Sequence, residues 1–338
     1  MNYQQRIESL AKLSDIILTL DKFHPIVNQA YINNNWFTPE MQIFALKNWA
    51  SNLQLNNITK WLNKYEIKDH SEPKTIGIIM AGNIPLVGLH DLLCVLATGN
   101  KALIKTSGDD ETLIKFVVEH LIKINPEFAN YITLTQTGFK TGFDAVIATG
   151  SNNTNRYFEY YFKNKPHLLR KNRNSIAILT GFETPDDYQK LADDIFLYFG
   201  LGCRNISKIF VPNNFDFNPF FEGLTKYADI INHNKYANNY TYHKAIFLMN
   251  QTPHLDNGFL LLKKDEKIAS PLSVLFFDYY SNVSDVEEYL IKYKNDIQCI
   301  VSKQPILNSL PFGSTQETTL TDYADGVDTI EFLLGISH

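Results

Sequence analysis

The sequence predicts an α/β fold: two α/β domains with mostly parallel sheets and helices on both faces. Three observations predict it. Short apolar strand patterns alternate with amphipathic helix patterns between about residues 74 and 162. The alternation restarts near residue 171 with "NSIAILTG". The 338 residues, 44% of them apolar, suffice for about two domains of ~150 residues each.

Residues 1 to about 70 read as helical, with Ile7, Leu10, Leu13 and Ile17 on one face. "TPEMQIFALKNWASNL" is a capped helix, with Thr38 as N-cap, Pro39 at the first helical position and Glu40 in the first turn. "HSEP", from His70 to Pro73, is a break. "KTIGIIMAG" is then a buried strand, and "PLVGLHDLLCVLATGN" a helix closed by Gly99. "KALIKTS" is the next strand, and "DDETLIKFVVEHLIKI" an amphipathic helix with an acidic first turn. "YITLTQTG" and "DAVIATGS" are two more strands, and "NTNRYFEYYFK" a helix. In the second half, "TPDDYQKLADDIFLYFG" is a helix, "SKIFVP" a strand and "NPFFEGLTKYADII" a helix. "NHNKYANNYTYHK" reads as an Asn/Tyr-rich surface stretch. No internal repeat or low-complexity segment occurs.

The net charge is −5 and the pI about 6.0, with no basic stripe, which argues against nucleic acid as the partner. The first residues show no basic-then-apolar signal pattern, and no apolar run approaches the ~18 residues of a membrane span. The expectation is a soluble, cytoplasmic chain. Cys94, Cys203 and Cys299 have no CxxC spacing and fit free thiols in a reducing compartment. His70, His90, His233, His243 and His254 have no metal-ligand spacing, so no metal is expected.

Open α/β sheets bind ligands at the carboxyl ends of their strands. Four candidates fall there: Asn83 in "MAGNIPL", Lys105 in "LIKTSGD", Gly150 and Ser151 in "ATGSNN", and Cys203 in "YFGLGCRNISKIFVP". Gly150-Ser151 opens a helix, a phosphate-facing position. No GxGxxG follows a strand. A glycine beside Cys203 suits a thiol that meets a carbonyl, because the backbone must approach a ligand.

Taken in order, these stretches resemble the aldehyde dehydrogenase superfamily and, within it, the acyl-CoA reductases of the bacterial luminescence type. "AGNIPLVG" is similar to the stretch whose Asn helps form the oxyanion hole. "GNKALIKTS" resembles the strand whose Lys contacts the adenosine ribose. "IATGS" is similar to the Gly-Ser turn by the cofactor diphosphate, and "GLGCRN" to the nucleophile loop. "SPLSVLFF" and "LPFGSTQET" match the two later motifs. The matches run from about 75 to 335.

The resemblance implies an aldehyde-dehydrogenase-like fold. Residues 1–170 would hold the N-terminal helices and cofactor-binding domain, and 171–312 the catalytic domain. Residues 313–338 would form a loop and strand returning to the first domain or reaching an oligomer interface. It implies reduction of a fatty acyl-CoA to the aldehyde, with Cys203 as nucleophile and Asn83 as oxyanion donor. Lys105, Ser107, Gly150 and Ser151 would bind the cofactor. The glutamate that activates water in hydrolytic members falls at Arg170, so an acylating enzyme is implied, and Arg170→Glu should raise hydrolysis if the new carboxylate faces the cysteine. The position of the glutamate that bonds the ribose in NAD-preferring members is Gly108, which favours NADPH, with NADH also open and Asp109 adjacent. The resemblance leaves room for a homo-oligomer and for an acyl-activating partner enzyme.

Blander readings stand beside these. Cys203 as a residue type also fits a core, and Cys94 and Cys299, in apolar runs, are expected there. Asn83 also suits a helix cap, Lys105 an ordinary strand end and Ser151 an N-cap. His90 reads as structural or solvent-facing. Three further functions stay open: reduction of a short-chain acyl-CoA or acyl phosphate, acyl transfer without hydride transfer, and a non-catalytic scaffold.

Overall fold

The computed structural model describes residues 1–69, 72–135, 137, 139 and 141–336. The expected break at His70 and the end of the strand "YITLTQTG" lie partly outside the described residues. The chain divides into two units, one comprising residues 1–172 with the chain from Thr319 onward, the other Arg173–Thr318.

The first unit opens with α1 (Tyr3–Leu18), α2 (Pro25–Asn33), α3 (Pro39–Asn52) and α4 (Leu55–Leu62). Asn2 and Gln5 form a reciprocal capping box on α1, and Thr38 accepts from the Met41 N–H with Pro39 at the first turn of α3. There follow β1 (Thr75–Ile79), α5 (Leu89–Ala97), β2 (Lys101–Lys105), α6 (Glu111–Ile124), β3 (Ile132–Thr135), β4 (Ala145–Thr149), α7 (Asn152–Phe162) and β5 (His167–Arg170). The strands form a parallel sheet in the order β3-β2-β1-β4-β5. Order reverses at β1, so the crevice beyond β1 and β4 is the switch point of the sheet. Eight of the nine residues of α5 are buried, Asp91 among them, which explains why "LHDLLCVLA" carries apolar residues on every face.

Thr329–Ile336 is a helix, where a loop and strand were expected. Ile330 and Leu333 join the core of the first unit. Arg170 is fastened to the same segment. It donates to both carboxylate oxygens of Asp91 (3.2 and 2.6 Å), to the Ala324 carbonyl and to Thr329 Oγ1. Trp61 and Tyr65 reach Tyr323, and Tyr65 donates to Asp328.

The second unit contains β6 (Asn174–Ile178), α8 (Pro185–Phe196), β7 (Ile206–Pro212), α9 (Phe217–Gly223), α10 (Asn234–Met249), β8 (Leu255–Asp256), β9 (Leu261–Lys264), β10 (Val274–Tyr280), α11 (Val283–Lys292) and β11 (Ile297–Ser302). Its sheet runs β11-β6-β7-β10-β9-β8, parallel except for the short β8·β9 pair. Three expectations are corrected. The Asn/Tyr-rich stretch is the helix α10, because Tyr236, Tyr240 and Phe247 make one buried stripe; the Tyr236 and Tyr240 hydroxyls reach the Phe259 carbonyl and Asp256. The helix expected through Gly200 ends at Phe196. The one expected after β7 becomes 3₁₀ beyond Gly223.

Candidate active site

In the first unit, Asn83, Lys105, Ser107, Gly150 and Ser151 all lie at the carboxyl edge of the sheet. Ile79 of β1 is in register with Lys105 of β2 and Ala148 of β4, so the loops after these strands are neighbours. The Asn83 loop is pressed onto β2. A Cβ on Gly82 would meet Ser107 Oγ at 2.5 Å, and one on Gly88 would meet the Met80 side chain at 2.5 Å. Leu86 holds a left-handed φ of 58°, fixed by its N–H donating to the buried Asp110 carboxylate at 2.8 Å. Burial pushes the Asp110 carboxyl well above the ordinary range. Asn83 itself is exposed.

Lys105 is half-buried, and its ammonium has no ion pair or hydrogen bond among the described residues. A cation left unpaired at a switch point is suited to an anion. Ser151 caps α7, its Oγ accepting from the Thr154 N–H, so the positive end of an eleven-residue helix faces the same edge. Gly108 has nothing within 4 Å of a built Cβ, whereas Gly150 is confined by Thr154 and Phe158 at 3.1 Å. His90 is structural, as one of its two readings had it. It packs among Trp49, Trp61 and Tyr323, reaches the Leu320 carbonyl, and burial lowers its pKa.

Cys203 belongs to the second unit, and here the sequence expectation needs correction. It precedes β7, at the amino end of a strand, not the carboxyl end. The chain reaches it through a left-handed turn: Tyr198, Phe199 and Gly200 have φ of 55°, 58° and 79°. Each non-glycine residue there costs about 1–2 kcal/mol, and such strain collects at functional sites. The glycine that the backbone needs is therefore Gly200; Gly202, beside the cysteine, is not left-handed.

Asn205 holds the loop closed. Its Oδ1 accepts from the Gly202 N–H at 2.8 Å, and its own N–H donates to the Gly202 carbonyl at 3.0 Å. Its side-chain amide donates to the carbonyls of Asp194, Ile195 and Leu197 at the end of α8. With the Gly202 carbonyl turned to Asn205, the planar trans peptide directs the Cys203 N–H the opposite way. Arg204 donates Nε to the Thr315 carbonyl at 2.5 Å, and buried Asp194 accepts from Gly313 N–H, Thr315 N–H and Thr315 Oγ1. The "PFGST" segment is thus tied to the cysteine loop within one unit. Burial pushes the Asp194 carboxyl up to about 6, against the pull of these three donors.

Of the other thiols, Cys94 is wholly buried in α5, and burial raises its pKa. Cys299 is not a core residue. It is half-exposed on β11, with Sγ 3.0 Å from Ser175 Oγ, and Ser175 donates to the Cys203 carbonyl at 3.0 Å. Sequence reasoning missed Asn205, Asp194, Ser175 and Cys299 as neighbours of this loop. Only Asn205, inside "GLGCRN", carried a local signal.

The fold is that of the aldehyde dehydrogenases. Aldehyde dehydrogenase 21 of Physcomitrella patens, in complex with the reaction product succinate, superposes with a TM-score of 0.68 at 13% identity, over 91% of this chain and 74% of that one. An E. coli NADP-dependent enzyme gives 0.69 at 12% identity over 91% and 74%. An indole-3-acetaldehyde dehydrogenase of P. syringae, in complex with NAD+ and IAA, gives 0.68 at 12% over 91% and 73%.

Within that class, residues 53–304 match the model of the acyl-CoA reductase (LuxC) family, and the chain belongs to this family. A curated relative, the long-chain acyl-protein thioester reductase of Aliivibrio fischeri, is 24% identical over 265 residues, 69% of this chain. The chain spans about half, 54%, of that relative's length. Among the described residues no helix is long and apolar enough to cross a membrane.

Proposed function

We propose that the protein reduces a fatty acyl thioester, acyl-CoA in the first instance, to the aldehyde through an acyl-enzyme on Cys203. The observation that carries this reading is the Cys203 loop: a half-exposed thiol behind a strained turn, locked by Asn205, with its N–H directed away from the lock. Its thiolate attacks the thioester carbonyl. The Cys203 N–H is directed to hold the oxyanion, and the family resemblance gives the Asn83 side chain the same role, a task in which losing one donor costs ~10²–10³ in rate. Collapse expels coenzyme A as a thiol and leaves the acyl group on Cys203.

The carboxyl edge of the first unit fits a nicotinamide dinucleotide. It offers the Lys105 ammonium, unpaired among the described residues, the N-terminus of α7 behind Gly150 and Ser151, and a backbone brought close at Gly82. When bound, the reduced cofactor supplies the hydride that takes the Cys203 thioester to the aldehyde level. The open space at Gly108 suits a 2′-phosphate and hence NADPH; the exposed Asp109 beside it keeps NADH in play. Water is a poor competitor because no Asp or Glu lies between Glu159 and Glu183, the stretch that bears the water-activating base in hydrolytic relatives.

Incubating the full chain with labelled acyl-CoA and no nucleotide tests this. A long-lived label should appear on Cys203, absent in Cys203→Ala, and be discharged as aldehyde by NADPH or as acyl-CoA by free coenzyme A. Rapid release of free fatty acid would make the protein a thioesterase or a hydrolytic dehydrogenase. The relative's name adds a second reading, in which the acyl donor is a thioester on a protein. Labelling by an acylated partner protein, but not by acyl-CoA, would select it.

A further inference from the structure

We propose that Cys299 is the resolving thiol of Cys203: when Cys203 is oxidised, Cys299 captures it as a reversible disulfide. Three features point to this. The first is shared anchorage. The Ser175 hydroxyl donates its one hydrogen to the Cys203 carbonyl, accepts from the Cys299 N–H at 3.2 Å, and meets Cys299 Sγ at 3.0 Å. Cys299 Sγ also lies 3.9 Å from the Arg204 carbonyl. The loop after Cys203 therefore crosses the amino end of β6 and comes down beside β11.

The second is a pair of irregularities in the sheet, one on either side of Ser175. On β11 the register jumps between Ile297 and Ile300, so three residues answer two on β6; the extra residue falls at Gln298–Cys299. On β7 a second extra residue falls at Ser207, where the register shifts between Ser175 and Ile176. Bulges of this kind re-aim side chains and collect beside active sites. A thiol serving only as core filler needs no such device. The third feature is access: both Cys203 and Cys299 are half-exposed. Accessible thiols with a second thiol at hand follow the reversible branch of cysteine oxidation.

The chemistry balances with a hydroperoxide as oxidant. The Cys203 thiolate takes one oxygen from hydrogen peroxide, giving a sulfenic acid and hydroxide. The Cys299 thiol then attacks that sulfur, forming the S–S bond and expelling water. A dithiol reductant reverses the product; overoxidation to sulfinic acid would not be reversible in this way.

The test is covalent, so it is independent of the proposed reductase activity. The full chain is treated with hydrogen peroxide and digested without reduction. The peptide bearing Cys203 should be joined to the one bearing Cys299, with the intact mass down by two hydrogens. In Cys299→Ser, peroxide should instead drive Cys203 to sulfinic and sulfonic acid. Recovery of iodoacetamide-reactive Cys203 after dithiothreitol should then be about tenfold lower than in the wild type. Sulfinic Cys203 in the wild type with no joined peptide, or equal recovery in the two proteins, would overturn the proposal. Should Cys299→Ser fail to fold, the wild-type peptide map decides alone.

Discussion

The two units place their candidate residues at opposite ends of parallel strands. In the first, Asn83, Lys105, Ser107, Gly150 and Ser151 follow β1, β2 and β4. In the second, Cys203 precedes β7 and Ser175 lies near the start of β6. The electrostatics differ accordingly. At a carboxyl end the next helix begins, so free N–H groups and a positive dipole favour an anion without further construction. At an amino end the preceding helix finishes, and its free carbonyls disfavour a thiolate. The second unit counters this with Asn205, whose amide covers three carbonyls at the end of α8, and with the Arg204 cation next in sequence to the cysteine. The first candidate site uses what a parallel sheet provides; the second depends on the Asn205 clamp.

The largest effect should come from a residue that belongs to neither site. Arg170 is 4% exposed and bidentate with buried Asp91. Removing one partner of such a pair costs about 3–5 kcal/mol, because the other charge stays buried. Arg170→Glu should cost at least that, since the new carboxylate would face Asp91. The side chain at 170 packs against Asp91, Ala324 and Thr329, all in the first unit, so a glutamate there meets Asp91 first. Urea unfolding should show the loss, and a hydrolysis rate that rose with stability intact would contradict this placement. Arg170→Met with Asp91→Leu should recover much of the stability.

Next is the clamp. Asn205→Asp keeps the acceptor for Gly202 but replaces the amide that serves three carbonyls with a carboxylate that repels them. Acylation of Cys203 should fall about 100-fold, the scale of a misplaced reacting group, and Asn205→Ala should fall less. Nucleotide affinity should hold in both. Equal losses in acylation and nucleotide binding would mean that the two regions do not behave as separate constructions.

Gly82→Ala makes the complementary break. Its methyl would overlap Ser107 Oγ and Cβ at 2.5 and 2.6 Å. Nucleotide affinity should weaken about tenfold, 1.4 kcal/mol, through displacement of the Ser107 strand end or the Asn83 loop. Alkylation of Cys203 by iodoacetamide should keep its wild-type rate. Unchanged nucleotide affinity would remove Gly82 and Ser107 from the site.

The difference between the regions also explains what sequence could reveal. The first candidate site could be read in the sequence because strand, glycine and helix N-cap are local patterns, and β1, β2 and β4 carry them in order. Cys203 was legible as a motif, but its surroundings were not. Tyr198 and Phe199 give no sign of a left-handed turn, since neither residue type favours one. Ser175 and Cys299 meet across 124 residues, and Arg170 and Asp91 across 79. The helix α10 was missed for another reason: its buried stripe is made of tyrosines, which read as surface residues until their hydroxyls are given partners.

The last effect is one of pH, and Asp194 contributes to it in the same direction as Asp110, whose carboxyl burial also raises. Burial holds this carboxyl at about 6 in the folded protein, above its ordinary 3.8, although Gly313 and Thr315 donate to the charged form. As pH rises, the unfolded chain loses the proton first, so between about 4 and 6 the folded state binds more protons than the unfolded one. Stability from this group is complete below that window and falls through it, by on the order of 2–3 kcal/mol. Asp187, Asp256 and Asp265 are shifted the other way and lose their contributions below the ordinary carboxylate range, outside the window. Asp194→Asn cannot titrate, so its Tm should change less between pH 4 and 6 than that of the wild type. Its side-chain amide would also face the Gly313 and Thr315 donors, which should lower Tm at every pH. If the two Tm profiles run parallel across the window, another group sets the slope. The carboxylate would then serve only as an acceptor that ties residues 313–315 to α8 and, through the Thr315 carbonyl, holds Arg204 beside the cysteine.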